Sequence, residues 1–437
     1  MWSFVLMGFI AFPTLQDRDV DDGYSFFIDG EPRNLRPWSL NGNPVVRATG
    51  DVVFVGEIPI VLGEPGIWRF RTTPEEDGRL FRVDDNGKET VIGVSIGWNM
   101  KDGKKIIFDP ISRLSDDEIR GLQGLRLDSW PPGLEKKLAL MNPARMGVVV
   151  TDRVEQDGAL PALPEGLRYL WVSESSSAGI KDFTTLASQR ELRILGLDLV
   201  AAKAFDVSLL KGNTSLRVLS LGMKKLLNIE SLAVLTELRI ADLQWNEEVR
   251  TIEWVRGMKS LKAIYLHGTG VGDLSPLEGL SSLATVRANQ APVRQLPRGS
   301  LPALREMSIL STKISDAEAD AFRRANPGCK VAHRWMSTLQ EALASATRLR
   351  VRSGGTCHRR VSEEKTLIEI KDPKEVQAFV KSLVVDETQS DRHCMCCGDP
   401  SFEFYEGDKL VATLGFHHGS GLRWPGGWPA DAAPTAE

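Results

Sequence analysis

Residues 238–280 read LRIADLQWNEEVRTIEWVRGMKSLKAIYLHGTGVGDLSPLEGL, and they contain the pattern L-x-x-L-x-L twice, with alanine or isoleucine accepted at its middle position. The pattern recurs through the middle of the chain at intervals of 21 to 25 residues. Its members are Leu122-Leu125-Leu127, Met146-Val149-Thr151, Leu167-Leu170-Val172, Leu192-Leu195-Leu197, Leu216-Leu219-Leu221, Leu238-Ala241-Leu243, Leu261-Ile264-Leu266, Leu283-Val286-Ala288 and Leu304-Met307-Ile309. One unit of this length cannot bury its apolar side alone, so the period predicts coils that stack on each other.

This repeat resembles that of the leucine-rich repeat family. Residues 261–280 are similar to the short repeats of about 22 residues found in bacterial internalins. The resemblance covers roughly residues 122–331, and it implies an α/β solenoid with a curved parallel β-sheet. The family's asparagine position matches at Asn246 but holds Lys224, Thr269 and Thr312 in other repeats. The turns are therefore expected to be less regular than in a consensus solenoid.

The segments that flank the repeats differ from them in pattern. Before the repeats, strand candidates with alternating apolar and polar residues are separated by the turn dipeptides Asn86-Gly87 and Asp102-Gly103. After them, Asp372-Pro373 opens an amphipathic helix between further strand candidates. The sequence thus predicts four segments: residues 1–22, a signal peptide or a disordered N-terminus; residues 23–113, an all-β, β-sandwich-like domain; residues 114–335, the solenoid with its caps; and residues 336–437, a small α+β domain with a Cys/His cluster.

Each end of the repeat array carries a helix-starting signal. Residues 115–118 and 315–318 both read as capping boxes, in which a serine and a glutamate three residues later satisfy each other's backbone N–H groups. The second box opens an amphipathic segment that stops at Asn326-Pro327-Gly328. We expect these short helices to shield the terminal coils.

Composition excludes several functional classes. The chain of 437 residues is 42% hydrophobic and 26% charged, which is typical of a globular protein and not of a disordered one. Its 54 basic and 58 acidic residues nearly cancel, so the broad positive field of a nucleic-acid-binding protein is absent. No run of eighteen apolar residues is present, which argues against an integral membrane segment in the mature chain. A monomer that binds no nucleic acid is expected.

The first twelve residues, MWSFVLMGFIAF, form an apolar run as long as the core of a signal peptide. No basic residue precedes the run, and no clean cleavage site follows it. The pattern favours an exported or cell-envelope protein. The alternative is a cytoplasmic protein in which this run is a strand or an anchor.

Residues between the inward positions of each repeat should point outward, on the concave face of the sheet. The residue after the first leucine is often basic, and the central outward position often holds an aromatic or charged residue. Such side chains are frequent at protein-binding hot spots. The predicted partner-binding residues are Tyr169, Trp171, Arg217, Asp242, Trp245, Tyr265, His267 and Arg287. The alternative is a solvated ladder in which basic and acidic residues of neighbouring coils pair.

A Cys/His cluster is the most specific chemical signal in the chain. If Gly407-Asp408 is the tip of a hairpin, Glu406 faces Lys409, and continuing this register places Gly398 opposite His417 and Cys397 opposite His418. Thiolate and imidazole groups suit Zn²⁺. The candidate metal ligands are Cys394, Cys396, Cys397, His417 and His418, with Cys357-His358 as further donors. The same cysteines fit a disulfide with Cys357, a redox pair, or buried inert thiols.

The sequence contains no catalytic motif in the context that its chemistry requires. Residues 93–97 match G-x-S-x-G, but Ser95 lies inside a strand-like run, and no helix follows to form a nucleophile elbow. The sequence therefore predicts a non-enzymatic protein-binding or scaffold protein, whose partner is a protein or peptide on the concave face. The alternative is a metal-binding sensor or an enzyme centred on the Cys/His cluster.

Overall fold

The structure is a computed structural model of the chain. It describes residues 79–81, 88–97, 109–151, 158–173, 180–198, 204–222, 225–356, 363–387, 398–419, 421–425, 427–428 and 430–435. It also describes the backbone, as strands, of residues 25–28, 31–34, 47–49, 52–55, 58–61, 69–70, 82–83, 98–101 and 104–108. The chain divides into two compact units, residues 1–285 with 301–303, and residues 286–300 with 304–437.

The first unit is built mainly of short strands. In chain order its elements are β1 (Ser25–Ile28), β2 (Glu31–Asn34), β3 (Arg47–Thr49), β4 (Val52–Val55), β5 (Ile58–Val61), β6 (Arg69–Phe70), β7 (Arg79–Val83), β8 (Glu89–Lys101), β9 (Lys104–Phe108), α1 (Asp116–Arg120), β10 (Gly124–Leu127), α2 (Leu134–Leu138), β11 (Gly147–Thr151), β12 (Tyr169–Ser173), β13 (Ile194–Asp198), β14 (Phe205–Asp206), β15 (Val218–Gly222), β16 (Leu226–Leu227), β17 (Ile240–Asp242) and β18 (Ala263–Tyr265).

One parallel sheet runs through the repeats of this unit, in the order β8-β10-β11-β12-β13-β15-β17-β18. The register aligns one residue of each strand in a single inward column, and every member is fully buried. The column consists of Val94, Leu125, Val148, Leu170, Leu195, Leu219, Ala241 and Ile264. The stacking of coils that the period predicts is confirmed in this unit. In the second repeat, however, the inward residue is Val148 and not the predicted Val149, which lies on the outward side opposite Trp171.

Side chains at the turns hold successive coils together. The amide nitrogen Nδ2 of Asn246 donates to the backbone oxygens of Leu221, one coil earlier, and of Leu243. In the next repeat, the hydroxyl of Thr269 donates to the Leu266 oxygen at 2.7 Å. At the asparagine position of this repeat, a threonine hydroxyl therefore satisfies the carbonyl within its own turn.

The repeat sheet begins earlier than the sequence predicts. Residues 93–96 of β8 pair in parallel with β10, although the same strand also pairs antiparallel with β7 and β9. The strand that was expected inside a separate β domain is thus also the first strand of the solenoid sheet. Ser95 lies within this strand, paired with Arg126, so the G-x-S-x-G match forms no nucleophile elbow.

The second unit contains the last repeat strands and a separate antiparallel sheet. Its elements are β19 (Thr285–Arg287), β20 (Glu306–Ser308), α3 (Asp316–Ala325), β21 (Lys330–Ala332), α4 (Trp335–Leu343), β22 (Arg348–Arg352), β23 (Thr366–Ile370), α5 (Pro373–Ser382), β24 (Val385–Asp386), β25 (Ser401–Glu406), β26 (Lys409–His417), β27 (Gly421–Arg423) and β28 (Ala433–Pro434). Strands β23-β22-β25-β26-β27 form an antiparallel sheet, and Trp335, Val376 and Phe404 share its apolar core with α4 and α5.

The helix signals of the sequence are confirmed. Ser115 and Ser315 each form a complete capping box with the glutamate three residues later, at the start of α1 and of α3. The carboxylate of Asp372 accepts from the backbone N–H of Lys374 at the start of α5. Local hydrogen bonds determine where these helices start, so the starts can be predicted from the sequence.

Among the described residues, none of the helices combines the length and the apolar character needed to cross a bilayer.

The inward column gives a first prediction. Leu219 is fully buried in this column, whereas Leu227, in the next turn, is 39% exposed. Leu219→Ala is expected to lower the free energy of unfolding by about 2–5 kcal/mol, because it leaves a cavity between coils. Leu227→Ala, the matched control, should change it by less than about 0.5 kcal/mol. Urea denaturation of both variants checks this. Equal losses would contradict the assignment of Leu219 to the stacked core.

Candidate functional site

The outward side of the repeat sheet carries a continuous apolar stripe. We call it the apolar stripe, and its members are Val149, Tyr169, Trp171, Ile194, Val218, Ile240, Ala263 and Tyr265. Between 1% and 8% of each residue is exposed. The sequence-based expectation that Tyr169, Trp171 and Tyr265 are solvent-exposed is therefore wrong. Because neighbouring coils are about 4.8 Å apart, each outward side chain packs against the outward side chain of the next coil. The members of the stripe therefore bury one another in part.

Trp171 shows how neighbouring coils accommodate a large outward side chain. Its partner across the sheet in β13 is Gly196, and the indole ring lies over that glycine. A Cβ at position 196 would overlap the ring, so only glycine leaves the space. The Trp171 Nε1 is buried and has no hydrogen-bond partner within the described residues. An unpaired buried donor lowers stability by about 1–3 kcal/mol. A residue with a purely structural role would not be expected to keep such a donor.

Asp242 places a carboxylate on the same side of the sheet. In the register of the sheet, Asp242 lies between Ser220 of the preceding strand and Tyr265 of the next strand. It is 2% exposed. Its Oδ1 accepts from the backbone N–H of Gln244 at 3.1 Å and from the Gln244 side chain at 3.0 Å, while the Ser220 hydroxyl donates to Oδ2 at 3.4 Å. Burial raises the pKa of Asp242 to about 6 despite these hydrogen bonds, because the charged form loses its hydration.

Trp245 is the accessible aromatic residue of this side. It lies in the turn after β17, with 44% of its surface exposed and with a left-handed backbone (φ 64°). Its ring packs edge-on against the buried His267 ring, at 4.4 Å between centroids. A Cβ added to Gly268 would come within 2.6 Å of the Trp245 ring, so this glycine too makes room for a tryptophan of the preceding coil. The exposed indole is thus held in one position.

Arg217 belongs to a row of basic residues at the amino edge of the strands. We call this row the basic edge, and it consists of Arg168, Arg193, Arg217, Arg239 and Lys262. All five are half-buried. Arg287, in the second unit, instead pairs with Glu306 at 2.7 Å. The predicted site residues of the first unit therefore divide into a buried group and an accessible group, the latter made of Arg217 and Trp245.

Sequence analysis missed the branched aliphatic members of the apolar stripe. Ile194, Val218, Ile240 and Ala263 each follow directly on a member of the basic edge. The signal was present as the recurring triplet of leucine, basic residue and apolar residue at the start of each strand. It was overlooked because these residues adjoin inward leucines and read as core positions.

These repeats form a solenoid of stacked coils, as the register of the inward column shows. Solved leucine-rich repeat structures are among the chains to which it is similar. An internalin from Listeria monocytogenes shares 15% identity, with 56% of this chain and 81% of that chain covered and a TM-score of 0.35. Internalin C2 of the same organism shares 21% identity over 34% and 74%, with a TM-score of 0.25. A leucine-rich repeat protein of Leptospira interrogans shares 15% identity over 50% and 80%, with a TM-score of 0.24. No protein-family model and no curated protein matches the chain.

The Cys/His cluster lies largely outside the described residues. Cys357, Cys394, Cys396 and Cys397 fall there, and the described residues hold no group of three metal-ligating side chains. Cys329, which is described, is a free cysteine, and burial raises the pKa of its thiol to about 11. The zinc site and the competing disulfide therefore both stay predictions.

The hairpin that carries the two histidines differs from the predicted register. Glu406 pairs with Lys409 as predicted, but a bulge between Phe404 and Tyr405 shifts the register, so that Ser401 pairs with Gly415. Counting pairs outward from the turn missed this extra residue in β26. Gly398 nevertheless lies beside His417, since a Cβ at position 398 would come within 2.6 Å of its Nε2.

The two histidines differ in environment. His417 is buried at the end of β26, and burial lowers its pKa, with a further contribution from the nearby Arg423 guanidinium. A lowered pKa keeps the imidazole neutral at pH 7, the form that binds metals. His418 is exposed and has a left-handed backbone (φ 49°). His417 is therefore in the protonation state that a metal ligand requires.

A buried ion cluster occupies the polar side of the same sheet. Glu403 accepts from Arg352 Nε at 2.6 Å, from Arg350 Nη1 at 3.2 Å and from the Tyr405 hydroxyl at 2.7 Å. Arg352 also donates to the backbone oxygens of residues 353–355. Because these groups satisfy one another, the cluster fixes the loop after β22.

Asp242 gives the second prediction. Between about pH 4 and pH 6 the folded chain holds a proton that the unfolded chain has lost, so the free energy of unfolding falls as pH rises through this window. At pH 8 the buried carboxylate costs up to about 3 kcal/mol. Asp242→Asn is therefore expected to stabilise the protein at pH 8 and to lose most of this advantage by about pH 4. Urea denaturation at both pH values checks it, and an identical pH dependence in variant and wild type would contradict it.

The zinc site gives the third prediction. Protein purified without chelator is expected to contain stoichiometric zinc, which the Cys394→Ser/Cys396→Ser variant loses. Cys329→Ser is the matched control, because this cysteine lies apart in the sequence, and it should retain the metal. Elemental analysis together with thiol counting checks both variants. If the protein contains no metal and thiol counting shows a disulfide, the zinc site is contradicted and the disulfide is supported.

Proposed function

We propose that this chain is a non-enzymatic protein-binding or scaffold protein, whose partner is a protein or peptide bound along the outward side of the repeat sheet. The observation that carries the proposal is Trp245. Its left-handed backbone recurs at the equivalent turn position of the following repeats, at Gly268, Gln290 and Ser311, so the repeat turn determines where its side chain lies. At this position the chain exposes an indole, a side chain that is enriched at binding hot spots.

The packing behind Trp245 supports a preformed binding surface. The ring lies between His267 and Gly268 of the next coil, so little side-chain entropy remains to be lost when a partner binds. The members of the apolar stripe also pack against one another across successive coils. A rigid surface with an exposed aromatic anchor gives affinity without an ordering cost.

The buried carboxylate of Asp242 is consistent with a functional surface. It costs stability at neutral pH, and its partners among the described residues are Ser220 and Gln244. Perturbed carboxylates of this kind cluster at functional sites, where stability is exchanged for recognition. A partner that donates a hydrogen bond near this position would offset part of the cost.

The arrangement of polar groups supports a non-enzymatic role. Ser220 donates to the Asp242 carboxylate, whereas a nucleophilic serine needs an imidazole as its direct hydrogen-bond partner. In the second unit, the Glu403 carboxylate is saturated by three donors. We expect the protein to act as an exported or cell-envelope monomer, which mass mapping of the mature N-terminus and size-exclusion chromatography would test.

Trp245 gives the fourth prediction. Peptides would be selected from a phage-displayed library against the full chain, and the affinity of the selected peptides would then be measured with variants. Trp245→Ala is expected to weaken binding roughly tenfold or more, equivalent to about 1.4 kcal/mol or more. The ring is partly exposed, so its removal should leave the fold intact.

The matched control is Val234→Ala. Val234 is 43% exposed in the return segment that precedes the same strand, on another side of the coil. Its substitution should leave peptide affinity unchanged. Equal affinity of wild type and Trp245→Ala, with both variants folded by circular dichroism, would overturn the proposed surface.

A further inference from the structure

Three successive backbone N–H groups fix the turn that carries the exposed indole of Trp245. The N–H groups of Leu243 and Trp245 donate to backbone carbonyl oxygens of the next coil, at 2.9 Å and 2.7 Å. The N–H of Gln244, which lies between them, donates instead to the carboxylate of Asp242 at 3.1 Å. A single side chain therefore holds one of the peptide groups that lead into Trp245.

The same carboxylate also holds the Gln244 side chain. Its amide Nε2 donates to Oδ1 of Asp242 at 3.0 Å, so Gln244 is bound to this oxygen at two points. The indole of the following residue, Trp245, packs edge-on against the His267 ring and lies over Gly268 of the next coil. The ring is thus held by the next coil, and the turn that carries it is held by Asp242 of its own strand.

The strength of this hold depends on the charge of Asp242. Hydrogen bonds to an ionised carboxylate are about twice as strong as those to a neutral group, and burial removes the water that would compete for them. Burial raises the pKa of Asp242 to about 6, so the carboxylate is ionised at pH 7.5 and largely protonated at pH 5. The contacts that order the Trp245 turn are therefore weaker at pH 5.

Other polar groups face Asp242 from the neighbouring strands. On β15, the Ser220 hydroxyl donates to Oδ2 at 3.4 Å, and Oδ1 of Asp198 lies 3.0 Å from the position of a Cβ added to the last residue of that strand, a glycine. On β18, Tyr265 is the register partner of Asp242. Beyond the end of β18, His267 contacts the indole, and histidine side chains in general titrate in the same pH range, so an experiment must separate it from Asp242. The basic edge lies at the amino ends of these strands, whereas Asp242 ends β17.

We propose that Asp242 is a positioning residue for the Trp245 indole, and that partner binding weakens when its carboxylate is protonated. This role rests on the proposed function, and it adds regulation by pH to the same surface. It also accounts for a buried carboxylate that lowers stability at neutral pH, since the ionised form is the one that holds the turn. The chain would bind its partner at neutral pH and release it at pH 5.

The binding test uses the full chain and a peptide that was selected at pH 7.5 and depends on Trp245. The peptide contains no histidine, aspartate or glutamate, and its ends are acetylated and amidated, so it does not itself titrate between pH 5 and pH 7.5. We expect wild-type affinity to fall by about threefold or more from pH 7.5 to pH 5, with a midpoint near pH 6. Asp242→Asn should bind at pH 7.5 as weakly as the wild type binds at pH 5, and its affinity should not change with pH, because its oxygen is always neutral.

Stability separates positioning from a merely structural role. Asp242→Asn is expected to be more stable than the wild type at pH 7.5, because it buries no charge, and yet to bind the peptide less tightly. A residue with only a structural role would lose affinity together with stability. Urea denaturation and fluorescence anisotropy at pH 7.5, on the same preparations, measure the two quantities.

The matched control is Asp273→Asn. The carboxylate of Asp273, in the next repeat, accepts from the backbone N–H of Ser275 at 2.7 Å, which is the same kind of contact, but this aspartate is exposed. The substitution changes the net charge by the same amount. It should leave both the peptide affinity and its pH dependence as in the wild type.

A measurement without peptide tests the positioning itself. In protein labelled with 5-fluorotryptophan, the fluorine NMR signal of Trp245 is identified by its loss in Trp245→Ala. We expect this signal to shift between pH 7.5 and pH 5 in the wild type, with a midpoint near pH 6, and to stay in place in Asp242→Asn.

Several results would overturn the role of Asp242. Equal wild-type affinity at pH 5 and pH 7.5, wild-type affinity of Asp242→Asn at pH 7.5, or equal loss in Asp273→Asn would each do so. Persistent pH dependence in Asp242→Asn would overturn it as well and would assign the titration to His267. Failure of the proposed function looks different: no selected peptide would depend on Trp245, although the fluorine signal would still follow the ionisation of Asp242.

Discussion

The inward column of the repeat sheet is the constraint on which the rest of the first unit depends. A single coil exposes its apolar side to water, and only the next coil covers it. Eight aligned residues from Val94 to Ile264 are fully buried in this way, and the parallel backbone ladder fixes the distance between coils. Every other feature of the sheet, including the columns on its outward side, takes its register from this stack.

That register explains why the outward side is not the exposed aromatic surface that the sequence suggests. Trp171 and Trp245 each extend over a glycine of the following coil, Gly196 and Gly268, so a large side chain is covered or held by its neighbour. The aliphatic residues beside them close the apolar stripe. What remains accessible to a partner is the exposed indole of Trp245, in the turn after β17.

The second unit follows a different rule, because its buried charges satisfy each other. Glu403 and Arg352 are both buried and directly paired, and removal of either partner would leave the other desolvated and unpaired. On the same sheet, one bulge in β26 changes which residues face each other towards the predicted Cys/His cluster. A shift of one residue is enough to move a predicted contact, since successive side chains of a strand alternate sides.

The sequence by itself determined the features that repeat or that are local. The period of the leucines predicted the stacked coils, and Ser115, Ser315 and Asp372 predicted their helix starts, because periodic burial and capping hydrogen bonds depend on residues close along the chain. Only the tertiary structure decided that the aromatic residues of the outward side are buried, that β8 opens the repeat sheet and that Asp242 is desolvated. Burial and pKa depend on what neighbouring coils place beside a residue, and that is a sum over contacts distant in sequence.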